Sequence, residues 1–143
     1  MEFIKNVLGT MLDKMPSINK HRKKFLVICF TTIKRMRGRV NFSNMSRYSD
    51  LCEKTYRRQF RIEFDFPALN KSLIESVIRP KSDKIATIDA SYIPKSGDET
   101  LRLDMFYDST HKKCAKGLEI SHIGIVDMAE NTAYTLSVRQ TPY

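Results

Sequence analysis

At 143 residues the chain has room for one ordinary domain or two small modules, which excludes a large self-sufficient enzyme. With 41% hydrophobic residues and only 5 Gly and 5 Pro, its composition is globular rather than disordered. Its 25 Lys and Arg against 16 Asp and Glu give a net charge of +9, which points to a polyanion: nucleic acid or an anionic membrane surface.

Phe3, Ile4, Val7, Leu8, Met11, Leu12 and Met15 recur at steps of three and four, predicting a first helix that Pro16 stops. A second helix is expected from about His21 to Arg37, with Phe25, Ile28, Cys29, Ile33 and Met36 on its buried stripe and the Gly38 neighbourhood as its end. The start of that helix, His21-Arg22-Lys23-Lys24 followed by Phe25 to Phe30, imitates a signal peptide. The apolar run is short, however, and charge returns at Lys34 and Arg35, so neither export nor a membrane span is expected. Cys29, Cys52 and Cys114 have no zinc-ligand spacing and read as reduced, intracellular thiols, so a cytoplasmic location is expected.

The segment Phe42 to Arg61 has the spacing of a helix-turn-helix: a short helix, a turn and a basic helix. Met45, Tyr48, Leu51, Tyr56 and Phe60 supply its apolar seam, and Lys54, Arg57 and Arg61 share the opposite face with Arg58 at its border. A helix of this kind fits the major groove of double-stranded DNA, with Lys54 and Thr55 near its N-terminus placed for phosphate contact. Two departures stand out: Asp50 where a glycine often relaxes the turn, and Cys52 where a Ser or Thr usually caps the helix. A solvated basic helix in a bundle is the competing reading.

Leu69, Leu73, Val77 and Ile78 form a further helical stripe, which begins near Pro67 and halts at Pro80. From Lys84 the pattern turns β-like. Ile85 to Ile88 is a short β-branched run ending on Asp89, Gly117 to Val126 is a second strand, 127–131 a turn and Ala133 to Val138 a third strand. Between the first two strands, exposed turns are expected at Ser96-Gly97-Asp98-Glu99 and at 108–113, flanking a weaker apolar piece around Leu103 to Phe106. The chain is therefore α+β, a helical DNA-binding region over 1–82 and a three-stranded antiparallel meander over 83–143. Charge supports that division: 18 basic and 7 acidic residues precede the cut after Ser82, 7 basic and 9 acidic follow it.

Three stretches carry a resemblance that covers most of the chain. They are Asn41 to Phe66, with Arg47-Tyr48 and Lys54-Thr55-Tyr56-Arg57-Arg58; Ile88-Asp89-Ala90-Ser91-Tyr92-Ile93-Pro94-Lys95-Ser96-Gly97; and Lys116 to Ile120 through Val126-Asp127, Asn131-Thr132-Ala133 and Gln140-Thr141-Pro142. In their order and spacing the chain resembles insertion-sequence transposases with a DDE catalytic core. The resemblance implies a DNA-binding helical region followed by an RNase H-like core, in which three acids hold two Mg²⁺ or Mn²⁺ ions for attack on phosphodiesters at the element's terminal inverted repeats.

By motif position Asp89 looks like the first of those acids, both catalytic residue and metal ligand. Lys95 beside it either reaches the DNA backbone or is a solvated turn residue. The second and third acids have no match. In this fold they follow the meander, and Asp127 falls in a turn. The RNase H-like part is thus expected to be incomplete, a fragment that retains DNA binding, holds no stable metal centre and performs no strand transfer alone. Two other readings stay open at this point: a free-standing helix-turn-helix regulator with a small β module, and an interaction protein whose basic helices bind RNA or another protein.

Overall fold

A computed structural model describes residues 2–95, 101–108 and 111–141. The expected turn at Ser96-Gly97-Asp98-Glu99, Ser109 and Thr110 of the next one, and Pro142 lie outside these residues. Among them, the helical and β-like patterns become five helices followed by a four-stranded antiparallel sheet. The chain divides into two compact units, Met1–Asp65 and Phe66–Tyr143.

The first unit holds α1 (Glu2–Asp13), α2 (Lys20–Arg35), α3 (Phe42–Arg47) and α4 (Glu53–Phe60). The apolar steps of α1 bury Leu8, Met11 and Leu12, with Met15 just beyond its end. Helix α2 starts at Asn19, whose side chain accepts the Arg22 N–H and so satisfies one of the free donors of the first turn. Its buried residues are Phe25, Leu26, Cys29, Thr31 and Thr32, while Ile33, expected on the core stripe, is exposed. The reason is that α2 packs against both α1 and α3, which widens its buried surface and turns it away from Ile33.

Helices α3 and α4 are joined by a turn over 48–52 and packed on each other around Met45 and Tyr56, both essentially inaccessible to solvent. Asn41 caps α3 by accepting the Asn44 N–H. Tyr56 is held edge-on by Phe25, with ring centroids 5.7 Å apart, and its hydroxyl meets Ser49 Oγ at 2.8 Å. The turn contains no residue with positive φ, so Asp50 bears no strain there and a glycine is not required.

The second unit opens with α5 (Phe66–Val77) and continues with β1 (Lys84–Pro94), β2 (Asp104–Asp108), β3 (Lys113–Asp127) and β4 (Thr132–Gln140). Helix α5 packs on β4 and buries Leu69 and Ile74, with Ile78 just after it; Val77, expected on that stripe, is exposed. This packing places the division of the chain at Asp65/Phe66 and not after Ser82, where the charge asymmetry had set it. Counted on the observed units, the first carries 15 basic and 6 acidic residues and the second 10 of each, so the whole +9 resides in the first.

In the sheet the long β3 is central. It pairs antiparallel with β1 along Gly117–Asp127 and, on its other edge, with β2 at Lys113–Gly117 and β4 at Ile120–Asp127. The expected meander is present with one addition, since the weak apolar piece around Leu103 to Phe106 supplies the short β2. A register shift between Ile123 and Gly124 bulges β4 at Leu136. Gly117 allows a close approach: a Cβ there would lie 2.7 Å from the Ile93 carbonyl oxygen and 2.8 Å from the Tyr92 ring. The Tyr92 ring, coming from β1, stacks at 5.7 Å on Phe106 of β2, on the far side of β3.

Candidate nucleic-acid interface

Helix α4 is short, and its sequence divides sharply by face. Tyr56 points into the unit, while Lys54, Arg57 and Arg58, with Arg61 at the C-cap, are exposed and Thr55 is half-buried. Together with Cys52, the predicted set of Lys54, Thr55, Arg57, Arg58 and Arg61 lines one shallow groove of about 400 Å³. Clustered cations on the outer face of a helix are the means by which proteins meet phosphates and guanine edges.

Arg57 is not free on this face. Its Nε donates to Glu53 Oε1 at 2.8 Å, its Nη2 to the same oxygen, and its guanidinium stands 5.5 Å from the centroid of the Phe42 ring. Glu53 also accepts from the Ser43 hydroxyl, tying the start of α4 to the start of α3. The Ser43 hydroxyl and then the Arg57 guanidinium hold the Glu53 carboxyl below the usual carboxylate range. Glu53 is thus a member of the site that the basic-face reading missed, although its spacing of four from Arg57 is the signature of a helical ion pair.

Cys52 occupies the N-cap without a side-chain cap hydrogen bond. Its sulfur lies 3.3 Å from Thr55 Oγ1, and the Thr55 hydroxyl, followed by the Thr55 N–H, lowers the thiol below its ordinary value. The other end of α4 is fastened by a residue that the sequence showed only as part of a charge run. Arg22 of α2 donates to the Gln59 carbonyl at 2.7 Å, to Gln59 Oε1 at 2.8 Å and to the Ile62 carbonyl at 2.9 Å. One guanidinium thereby satisfies carbonyls left open at the helix end and fixes α4 against α2.

Asp89 and Lys95 belong to the second unit. Asp89 sits in the middle of β1, exposed, opposite His122 of β3. The strand does not end on it, as the sequence suggested, because pairing with β3 carries β1 on to Pro94. Lys95 is exposed just past the strand, its backbone N–H donating to the Lys116 carbonyl. His122, on the central strand β3, has its Nε2 3.1 Å from Thr135 Oγ1. Asp127 is buried at the end of β3, and its Oδ1 accepts the N–H groups of Ala129 and Glu130, which is the work of a turn residue.

Among the described residues no three His, Cys, Asp or Glu gather in a group that could hold a metal ion. Asp89 alone does not fit a two-metal centre, which needs several carboxylates to offset the charge of the ions. No protein-family model, curated protein or solved structure matches the chain.

Proposed function

We propose that this protein binds duplex DNA through α3 and α4, acting as a helix-turn-helix, and that the sheet unit is the front part of a DDE transposase core. The observation that carries the DNA-binding reading is the division of α4: a buried Tyr56 on one side, and Lys54, Arg57, Arg58 and Arg61 exposed on the other. The confinement of the net charge to this unit supports it, because sequence-independent affinity for DNA arises from neutralised phosphates. In this reading α4 lies in the major groove and α3 crosses the backbone beside it.

For the sheet, the support is the order β1, β3, β4 of an antiparallel meander, with the motif aspartate Asp89 exposed on its first strand. In an RNase H-like arrangement that position supplies the first carboxylate for Mg²⁺ or Mn²⁺. No catalytic step is assigned to Asp89 alone. Incubated with Mg²⁺ or Mn²⁺ and duplex DNA carrying inverted repeats, the chain is expected to bind without cleaving; cleavage that disappears in Asp89→Ala would overturn this.

The DNA-binding reading is tested by fluorescence anisotropy on labelled duplexes. Arg57→Ala and Arg61→Ala are each expected to cost about 1–3 kcal/mol where they read bases, and less, uniformly across sequences, where they touch phosphates. Unchanged affinity in both variants would remove α4 from the interface. A preference for inverted repeats favours the transposase, and protection of an operator upstream of a gene favours a regulator.

A further inference from the structure

From the last turn of α2 into the segment that leads to α3 the chain carries four cations in six residues: Lys34 and Arg35 end the helix, and Arg37 and Arg39 follow it. All four are exposed, and Val40 after them is 63% exposed. Among the described residues the ion pairs of this unit are Lys5 with Glu2, Lys23 with Asp13 and Arg57 with Glu53, so none of the four cations is neutralised. Lys34 and Arg35 complement the C-terminal end of the α2 dipole, whereas Arg37 and Arg39 lie past the helix and have no such partner.

The segment is also shaped. Gly38 adopts φ +80°, a conformation open to glycine at no steric cost, between Arg37 and Arg39. The Asn44 side-chain amide of α3 donates to both flanking carbonyls, Arg37 at 2.8 Å and Arg39 at 3.0 Å. Asn44 is itself held through its backbone N–H by Asn41. An Arg-Gly-Arg turn is therefore clasped to the first turn of α3, which lowers the entropy lost if its side chains are ordered by a ligand.

Its place in the unit gives the ligand. Three residues after Arg39 comes Phe42, whose ring packs 5.0 Å from Phe60 and lies beneath the Arg57 guanidinium. The turn thus emerges at the corner where α3 meets the basic face of α4. When a helix occupies a major groove, an arm at such a corner is within reach of the flanking minor groove, where a narrow width and strong negative potential select arginine. A glycine between two arginines lets the backbone approach the floor of that groove closely.

We propose that Arg37 and Arg39 form a minor-groove arm that binds duplex DNA beside the α4 contact. The proposal rests on the DNA-binding reading of α3 and α4 and adds a second contact with a base preference of its own. Because the minor groove shows only whether the guanine 2-amino group is present, the arm favours base pairs that lack it.

The test compares full-length protein on poly(dI-dC) and poly(dG-dC) duplexes, which present the same major-groove edges and differ in the minor groove by the 2-amino group. Anisotropy titrations at low salt are expected to give roughly tenfold tighter binding to poly(dI-dC), the effect of one good groove contact. Arg37→Ala with Arg39→Ala should bring the ratio to near one, and so should Arg37→Lys with Arg39→Lys, which keeps the charge and most of the overall affinity. Arg57→Ala with Arg61→Ala should weaken binding to both polymers and leave the ratio intact.

A wild-type ratio near one, or a ratio that survives in the Arg37/Arg39 variants, overturns the arm while leaving α4 in place. Undiminished binding by the Arg57/Arg61 variant, with the ratio still lost in the arm variants, overturns the α4 reading and upholds the arm. Failure of the wild type to bind either duplex overturns both. Far-UV circular dichroism of each variant establishes that it is folded.

Discussion

At the scale of single residues, the basic face of α4 is partly restrained by an acid of its own. Glu53 holds Arg57, and its carboxyl lies below the usual range because Ser43 and Arg57 both favour the ionised form. A group whose folded-state pKa is lowered contributes its stability in full above the unfolded value and loses it as pH falls through the folded one. Protonation on the acid side therefore loosens the pair and frees Arg57. DNA affinity is expected to rise as pH drops through the lowered Glu53 range, and Glu53→Gln should bind more tightly at neutral pH with that pH dependence abolished. Titrations of both proteins on one duplex check this; an identical pH profile in Glu53→Gln would show that the Glu53–Arg57 pair does not govern DNA affinity. Cys52 is the second such residue. Its thiol leaves the α4 N-cap unfilled, so Cys52→Ser is expected to stabilise the protein by about 1 kcal/mol, read as a raised thermal midpoint.

Elements were legible in the sequence where periodicity and stop signals agreed, and less so where packing chose among apolar residues. Pro16 and the Asp65-Phe66-Pro67 start of α5 marked real ends. The buried stripes of α2 and α5 were read one step off at Ile33 and Val77, because a wheel cannot say how many neighbours a helix has. β1 was read too short, since Ala90 to Pro94 lacks a continuous β-branched run and owes its extension to pairing with β3. In the same way the α4 cations were visible from their spacing, whereas the Arg22 clamp, 37 residues away in sequence from Gln59, was not. The sheet also depends on one glycine. At Gly117 a Cβ would collide with the Ile93 carbonyl and with the Tyr92 ring stacked on Phe106. Gly117→Ala is thus expected to destabilise the second unit by about 1–3 kcal/mol, because backbone must move to admit it. Denaturant titration followed by the near-ultraviolet signal of the tyrosines tests this; an unchanged midpoint would mean that the strands separate there at little cost.

For the whole molecule, the partition of charge matters more than its total. The first unit carries +9 and the second is neutral, so contact with a polyanion is expected to be an affair of one unit. Binding that neutralises phosphates with Lys54, Arg57, Arg58 and Arg61 releases about four counterions, so this face contributes about −4 to the slope of log affinity against log salt. Each cation of this set that touches a phosphate adds about one unit to that slope. Lys54→Gln with Arg58→Gln is therefore expected to flatten the slope by about two. Lys84→Gln with Lys113→Gln removes the same charge from exposed positions on β1 and β3 and is expected to leave the slope unchanged. The comparison is internal, because both double variants lower the net charge of the chain by the same amount. Equal flattening by the two would mean that DNA responds to the overall charge of the molecule and not to the face of α4. Flattening confined to the Lys84 and Lys113 variant would move the DNA contact to the sheet.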